Sequence, residues 1–381
     1  MAEIVYSCPQ RSGIEEKLMT PLKVKKTEGG VLMWIMCALV FLGFTFCYLY
    51  FYQTDILALT QHILSGGKTR YNTLVGAVLI TGILWLLQLV VFSITRLTKR
   101  AHALTYLPSL LCLLMFTSVN TDVENGLRMK YWLWAAPIIL ILYGILVWMI
   151  RQQQAFERLR HGLGMFSQLM WNNLLVMAIM CCLVGLLGNS NDVLHYRLRM
   201  EEDIMRGDYE KALEVGEHER TTDNNLLMLR AYALAQTGQL GEKFFTYPQM
   251  AGLTSLSPDG KSKSTLILPQ VEIQRFAASK GADDYRLVHY LLVRDLRSFV
   301  RSVSKCYDIE DASLPRHYQE ALVLYNHRYA DPGFTYDNPV LDADYQDLQQ
   351  LMRRYQEPQV KNAKVRDVYG NTYWYYYYFV K

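Results

Sequence analysis

Residues 31–52 read VLMWIMCALVFLGFTFCYLYFY, a run without a single Asp, Glu, Lys, Arg or His. A helix rises about 1.5 Å per residue, so roughly 20 apolar residues cross a hydrocarbon core of about 30 Å. Four further runs follow, at 73–94, 103–119, 131–150 and 168–187, and none of them holds any of those five residue types. Five such runs within 160 residues exceed what one soluble core would use. The expected architecture is therefore a five-helix transmembrane bundle. The third run is the shortest and contains Pro108. The first is too long for a cleavable signal and follows thirty mostly polar residues, so it reads as a signal anchor.

Working outward, the charges divide the chain in three. Residues 1–30 form an N-terminal segment of net charge +1, residues 31–190 the transmembrane domain at +6, and residues 191–381 a soluble domain at −3. The stated +4 is their sum. A mildly acidic soluble part argues against nucleic acid as a partner.

Lys and Arg in short loops set orientation. Arg11, Lys17, Lys23, Lys25, Lys26, Arg96, Lys99, Arg100, Arg151, Arg158 and Arg160 fall on one expected side. Lys68, Arg70, Arg128 and Lys130 fall on the other. Eleven against four predicts a cytoplasmic N-terminus. Five crossings then put the tail outside the cytoplasm.

Ionisable residues inside spans are the usual mark of intramembrane chemistry, and the five runs have none. Their notable polar residues are Gln88, Asn172 and Asn173. Such side chains tie helices together or line a cavity. Seven cysteines include no CxxC, and Cys306 is the only one beyond residue 190, so neither a zinc site nor a disulfide within the tail is expected.

The tail reads as mostly helical. Gly207-Asp208-Tyr209-Glu210-Lys211-Ala212 and Gly238-Gln239-Leu240-Gly241-Glu242-Lys243 mark two helix turns 31 residues apart. Amphipathic spacing predicts further helices over 283–307, 316–328 and 342–355. Ser257-Pro258-Asp259-Gly260 predicts a turn. The closing run TYWYYYYFV (372–380) favours strand by composition, and its stickiness predicts packing on the domain or the membrane.

Gly207, Tyr209, Ala212 and Ala231 resemble the tetratricopeptide repeat, a 34-residue helix–turn–helix. The resemblance covers about residues 194–248. It departs at its period, at Arg199 and Arg230 where the family has apolar residues, and at Lys243 where it has alanine. It implies an all-α, solenoid-like soluble domain whose concave face presents Arg197, Glu201, Asn225, Met228 and Tyr232 to a partner. The runs RAYALAQTGQLGEKFFTYPQ (230–249), LPRHYQEALVLYNH (314–327) and YGNTYWYYYYF (369–379) resemble uncharacterised multi-pass membrane proteins of Bacteroidetes-type bacteria. That likeness implies an inner membrane and a periplasmic tail, and no substrate.

No nucleophile elbow, zinc-protease or phosphate-loop motif occurs. His195, His218, His289, His317 and His327 lack metal-ligand spacing, so neither cofactor nor metal is expected. The leading expectation is a non-enzymatic membrane protein whose periplasmic domain binds a protein or peptide. The alternative is a subunit of a membrane enzyme or transporter, with Gln88, Asn172 and Asn173 around a lipid- or glycan-sized cavity.

Overall fold

The computed structural model describes residues 28–154 and 168–380, apart from positions 98, 119, 123–125, 129–130, 218, 220, 251–252, 254, 259–263, 280–281, 312 and 330–333. The expected N-terminal segment up to residue 27, the loop bearing Arg158 and Arg160, and His218 lie outside the described residues.

In chain order the elements are α1 (Glu28–Cys47), α2 (Thr54–Ser65), α3 (Thr73–Thr95), α4 (Leu107–Thr117), β1 (Asn120–Asp122), β2 (Gly126–Arg128), α5 (Trp132–Gln154) and α6 (Gln168–Leu187). The tail continues with α7 (Asp192–Arg206), α8 (Tyr209–Glu214), α9 (Asn224–Gln236), α10 (Leu240–Lys243), α11 (Gln270–Ala277) and α12 (Asp283–Leu292). It ends with α13 (Leu296–Cys306), α14 (Arg316–Arg328), α15 (Pro339–Arg354), α16 (Pro358–Tyr369) and α17 (Tyr373–Phe379). Among the described residues the regular structure is helical apart from the two three-residue strands, which pair antiparallel.

Two compact units emerge. The first holds α1, α3, α4, α5 and α6; the second holds α2, the β1–β2 ribbon and everything from Asn189 onward. Segments 54–72 and 119–128, read from sequence as simple loops between spans, thus belong with the tail.

Among the described residues of the first unit, four helices are long and apolar enough to cross a membrane: Val31–Tyr52, Thr73–Thr95, Trp134–Gln152 and Gln168–Leu187. Only 17% to 33% of each apolar window is covered by protein, so most of that surface needs an apolar medium. The expected fifth long helix is corrected here. The run 103–119 forms the end of a 3-10 segment (Lys99–Tyr106) with a non-helical residue at Ala101, followed by the eleven-residue α4. Pro108 sits in the first turn of α4, where its missing N–H costs nothing. This is also the best-buried stretch of the unit. Ala103, Thr105, Tyr106, Pro108, Ser109, Leu110, Leu111, Leu113, Leu114 and Thr117 are all buried, packed against α3 and α6.

In the second unit, α7, α8, α9 and α10 pack on their chain neighbours, as do the helices from α12 to α17, while α10 also packs on α12 and α14, and α14 on α17. The turn after α7 needs Gly207, whose φ of +81° lies in the left-handed region that favours glycine. Gly238 recurs in that conformation. The helices after these turns are only six and four residues long. The expected helix over 283–307 is interrupted: Arg294 takes φ +60°, and Asp295 caps a new helix by accepting from the Ser298 N–H. The run 372–380 is α17, a helix and not a strand, because burial of Tyr373, Trp374 and Tyr376 overrides β propensity.

Candidate ligand groove of the helical unit

Polar side chains in the first unit hold backbone. Asn173 is buried; its Oδ1 accepts from the Ala103 N–H at 2.9 Å, and its Nδ2 donates to the Lys99 and Leu169 carbonyls at 2.9 Å each. Gln88, also buried, donates to the Thr105 hydroxyl at 3.1 Å. Both residues therefore fasten the irregular 3-10 segment, whose backbone groups lack regular helical partners. Asn172 is exposed and does not join them. A cavity of about 340 Å³ in this unit is lined by Val31, Met33, Trp34, Phe92, Leu97, Lys99 and His102, and by none of the three.

The residues expected on a concave partner face have work inside the second unit. Glu201 is fully buried, and its carboxylate accepts backbone N–H groups from Leu266, Ile267 and Leu268 at 2.5 to 3.0 Å. Burial pushes its pKa up, against the downward pull of those N–H groups and of Arg197. Arg197 donates to the Ser264 carbonyl at 3.1 Å and to Asp223 at 3.3 Å. Asp223 in turn caps α9 through the Leu226 N–H. Tyr232 lies edge-on to Tyr209 and Phe276, and Met228 is buried. Asn225 is partly exposed. The face is thus occupied by the chain's own 264–268 segment and α11 region. Sequence periodicity finds a helix face without showing which later segment covers it.

Arg230 explains one departure from the repeat pattern. It is fully buried; Nη2 donates to the Val215 and Gly216 carbonyls at 3.2 and 2.7 Å, and the guanidinium lies 4.6 Å from the Tyr247 ring centroid. It fastens the turn after α8 to the segment after α10.

Those two segments form one wall of a groove of about 750 Å³ in the second unit. Glu217 and Glu219 come from the first segment, and Phe245, Tyr247 and Gln249 from the second. The end of α16 and the start of α17 supply Arg366, Asp367, Asn371, Thr372, Tyr375 and Tyr376. Glu217, Glu219, Arg366, Asp367 and Asn371 are exposed; Phe245, Tyr247 and Tyr376 are buried beneath them. Gln249 donates to the Phe244 and Tyr247 carbonyls, which leaves its buried Oε1 without a partner among the described residues.

The α17 side of the groove is tied down with care. Fully buried Glu320 on α14 accepts from the Tyr373 N–H at 2.7 Å, from His317 Nδ1 at 2.9 Å and from Arg316 Nε at 2.9 Å. The Trp374 indole donates to the Glu320 carbonyl at 2.7 Å. Tyr373 and Tyr376 donate to the Leu291 and Leu292 carbonyls, at the end of α12. Arg294, at the break after α12, donates to the Val380 carbonyl and sits over the Tyr376 ring. Gly241 admits the Tyr318 ring, which a Cβ would meet at 2.5 Å, so α10 and α14 approach closely. Among the described residues, no three His, Cys, Asp or Glu side chains are grouped to hold a metal.

Residues 121–275 and 267–380 match a single family, and together they cover more than half of the chain. The chain belongs to the family of unknown function DUF6057. The DUF6057 segment contains α5, α6 and the whole of the tail, and every groove residue lies within it. No curated protein and no solved structure matches the chain.

Proposed function

We propose that this DUF6057 protein is a multi-pass inner-membrane protein that displays its helical unit in the periplasm as a non-enzymatic binding module. The observation that carries this reading is the groove, a pocket of ligand-binding size with converging polar groups and an unsatisfied acceptor. Its Lys/Arg loop bias favours a cytoplasmic N-terminus, and its sequence likeness favours a Bacteroidetes-type source.

Crossing parity supports the tail's side. Asp55 on α2 accepts from Arg199 Nε at 2.8 Å, with His195 Nδ1 at 3.4 Å, so segment 54–72 and the tail belong on one side. An even number of crossings must separate residues 53 and 189. Helices α3, α5 and α6 provide three, and the 3-10 segment with α4 supplies the fourth. The stacked α7–α10 hairpins read as truncated relatives of tetratricopeptide units, with the later helices completing a solenoid-like array.

A photo-crosslinking residue at position 371, on the groove rim, is the direct test. In native membranes it captures a saturable ligand, protein, peptide or other, that the same probe at exposed Val368 on α16 does not. Equal labelling at both positions, or none at 371, overturns the proposal.

A further inference from the structure

We infer that the groove takes a neutral, hydroxyl-rich ligand, an oligosaccharide. This deepens the binding-module reading and rests on it. The familiar peptide modes each need something the groove lacks: a free sheet edge, a continuous apolar trough for a helix, or a cationic nest for a terminal carboxylate. The groove instead sets side-chain carboxylates and amides above aromatic rings.

Its hydrogen-bonding inventory is weighted to acceptors. When ionised, Glu217, Glu219 and Asp367 are acceptors only, and the Gln249 Oε1 is an acceptor without a donor among the described residues. Asn371 and Arg366 supply donors on the same rim. Sugar hydroxyls both donate and accept, so a pair of neighbouring hydroxyls satisfies a carboxylate on one side and Asn371 or Arg366 on the other. A ligand hydroxyl that pairs with the already buried Gln249 oxygen removes the cost of leaving it without a donor.

Charge separates a sugar from a basic ligand. The three rim carboxylates share the groove with Arg366, the chain neighbour of Asp367, and Arg230 and Arg294 lie against the rings of groove residues Tyr247 and Tyr376. Three acidic and three basic groups leave no net field to select a cation. The ring with the freest surface is Tyr375, half-buried, with its hydroxyl donated to Asn362 and one face stacked on Phe379. Its fixed orientation suits the apolar C–H face of a sugar ring.

The test uses the full chain purified in a detergent without sugar headgroups. Cellohexaose, maltohexaose and chitohexaose are titrated calorimetrically, beside a lysine-rich decapeptide. We expect at least one hexasaccharide to bind with an affinity that changes less than about twofold between about 50 and 500 mM salt, since screening acts on charges. Asp367→Ala and Asn371→Ala, both at exposed positions, each weaken it about tenfold, equivalent to about 1.4 kcal/mol. Val368→Ala leaves it unchanged. Binding of none of the three, or binding that neither rim substitution alters, overturns the sugar assignment. Salt-sensitive decapeptide binding lost in Asp367→Ala also overturns it, yet leaves the binding module standing. Only the failure of crosslinking from position 371 removes that broader reading.

Discussion

Glu201 concentrates more backbone structure on one side chain than any other residue of the α7 face. Its carboxylate satisfies three consecutive N–H groups, two part-buried and that of Leu268 buried, and these have no helix or strand of their own to pair in. Glu201→Ala strands all three and is expected to cost about 3 kcal/mol, since each unsatisfied buried donor costs about 1–3 kcal/mol less whatever water recovers. Glu201→Gln keeps an acceptor oxygen and falls between. Hydrogen exchange at the amides of residues 266–268 reads this directly: faster exchange there in Glu201→Ala, with α14 unchanged, is the expected pattern. Unaltered protection would refute it. Asp295 acts on a smaller scale as the cap of α13. Hydrogen bonds from the Ser298 hydroxyl and N–H hold its carboxyl below the usual carboxylate range. A depressed acid contributes stability above its unfolded pKa, and that contribution fades as pH falls through the folded value. Asp295→Ala is expected to cost about 1 kcal/mol at neutral pH, as for other lost caps. The gap between wild type and Asp295→Ala in thermal melts therefore narrows below the usual carboxylate pKa; a gap independent of pH would contradict the capping role.

At the scale of elements, α17 is a short helix that no local rule predicts. Five consecutive residues from Tyr375 to Phe379 favour strand by composition. Tertiary partners decide: Thr372 caps the helix by accepting from the Tyr375 N–H, and Glu320, Leu291 and Leu292 take its buried polar groups. Trp374 is 1% exposed, so Trp374→Ala is expected to destabilise the unit by about 3–5 kcal/mol. It should also weaken any groove ligand, because Thr372, Tyr375 and Tyr376 are placed by the same helix. Loss of stability without loss of binding would detach α17 from the site. The groove itself was not legible in sequence for the same reason. Its walls come from Glu217 and Glu219, from positions 245–249, and from the α16–α17 region between Arg366 and Tyr376 without Val368, and nothing in local spacing joins segments more than a hundred residues apart. What local spacing does reveal are features that follow from one stretch alone: the apolar spans, the glycine turns at Gly207 and Gly238, and the helix over 316–328.

For the whole molecule, the third apolar run carries the topology. A regular span must be long because lipid cannot satisfy its ends, but a stretch enclosed by other helices escapes that rule. The 3-10 segment bends at Ala101, and α4 alone covers about 16 Å at about 1.5 Å per residue, about half the hydrocarbon thickness. Side chains hold both ends of this stretch: Asn173 satisfies the 3-10 backbone near one end, and Tyr48 donates to Thr117 at the other. Reporters active on only one side of the membrane, placed at Gly67 and after Asn189, are therefore expected to agree with each other and to differ from one at Arg96. Asn173→Leu removes one acceptor and its donors from the Ala103 and Lys99 backbone. If the run crosses because that backbone is satisfied, this change lowers the fraction of chains whose Gly67 and Asn189 reporters agree, while Asn172→Leu at the exposed neighbour does not. Opposite signals from the two reporters in the wild type would mean that only the four long helices cross, and the ion pair of Asp55 with Arg199 could not form across the membrane.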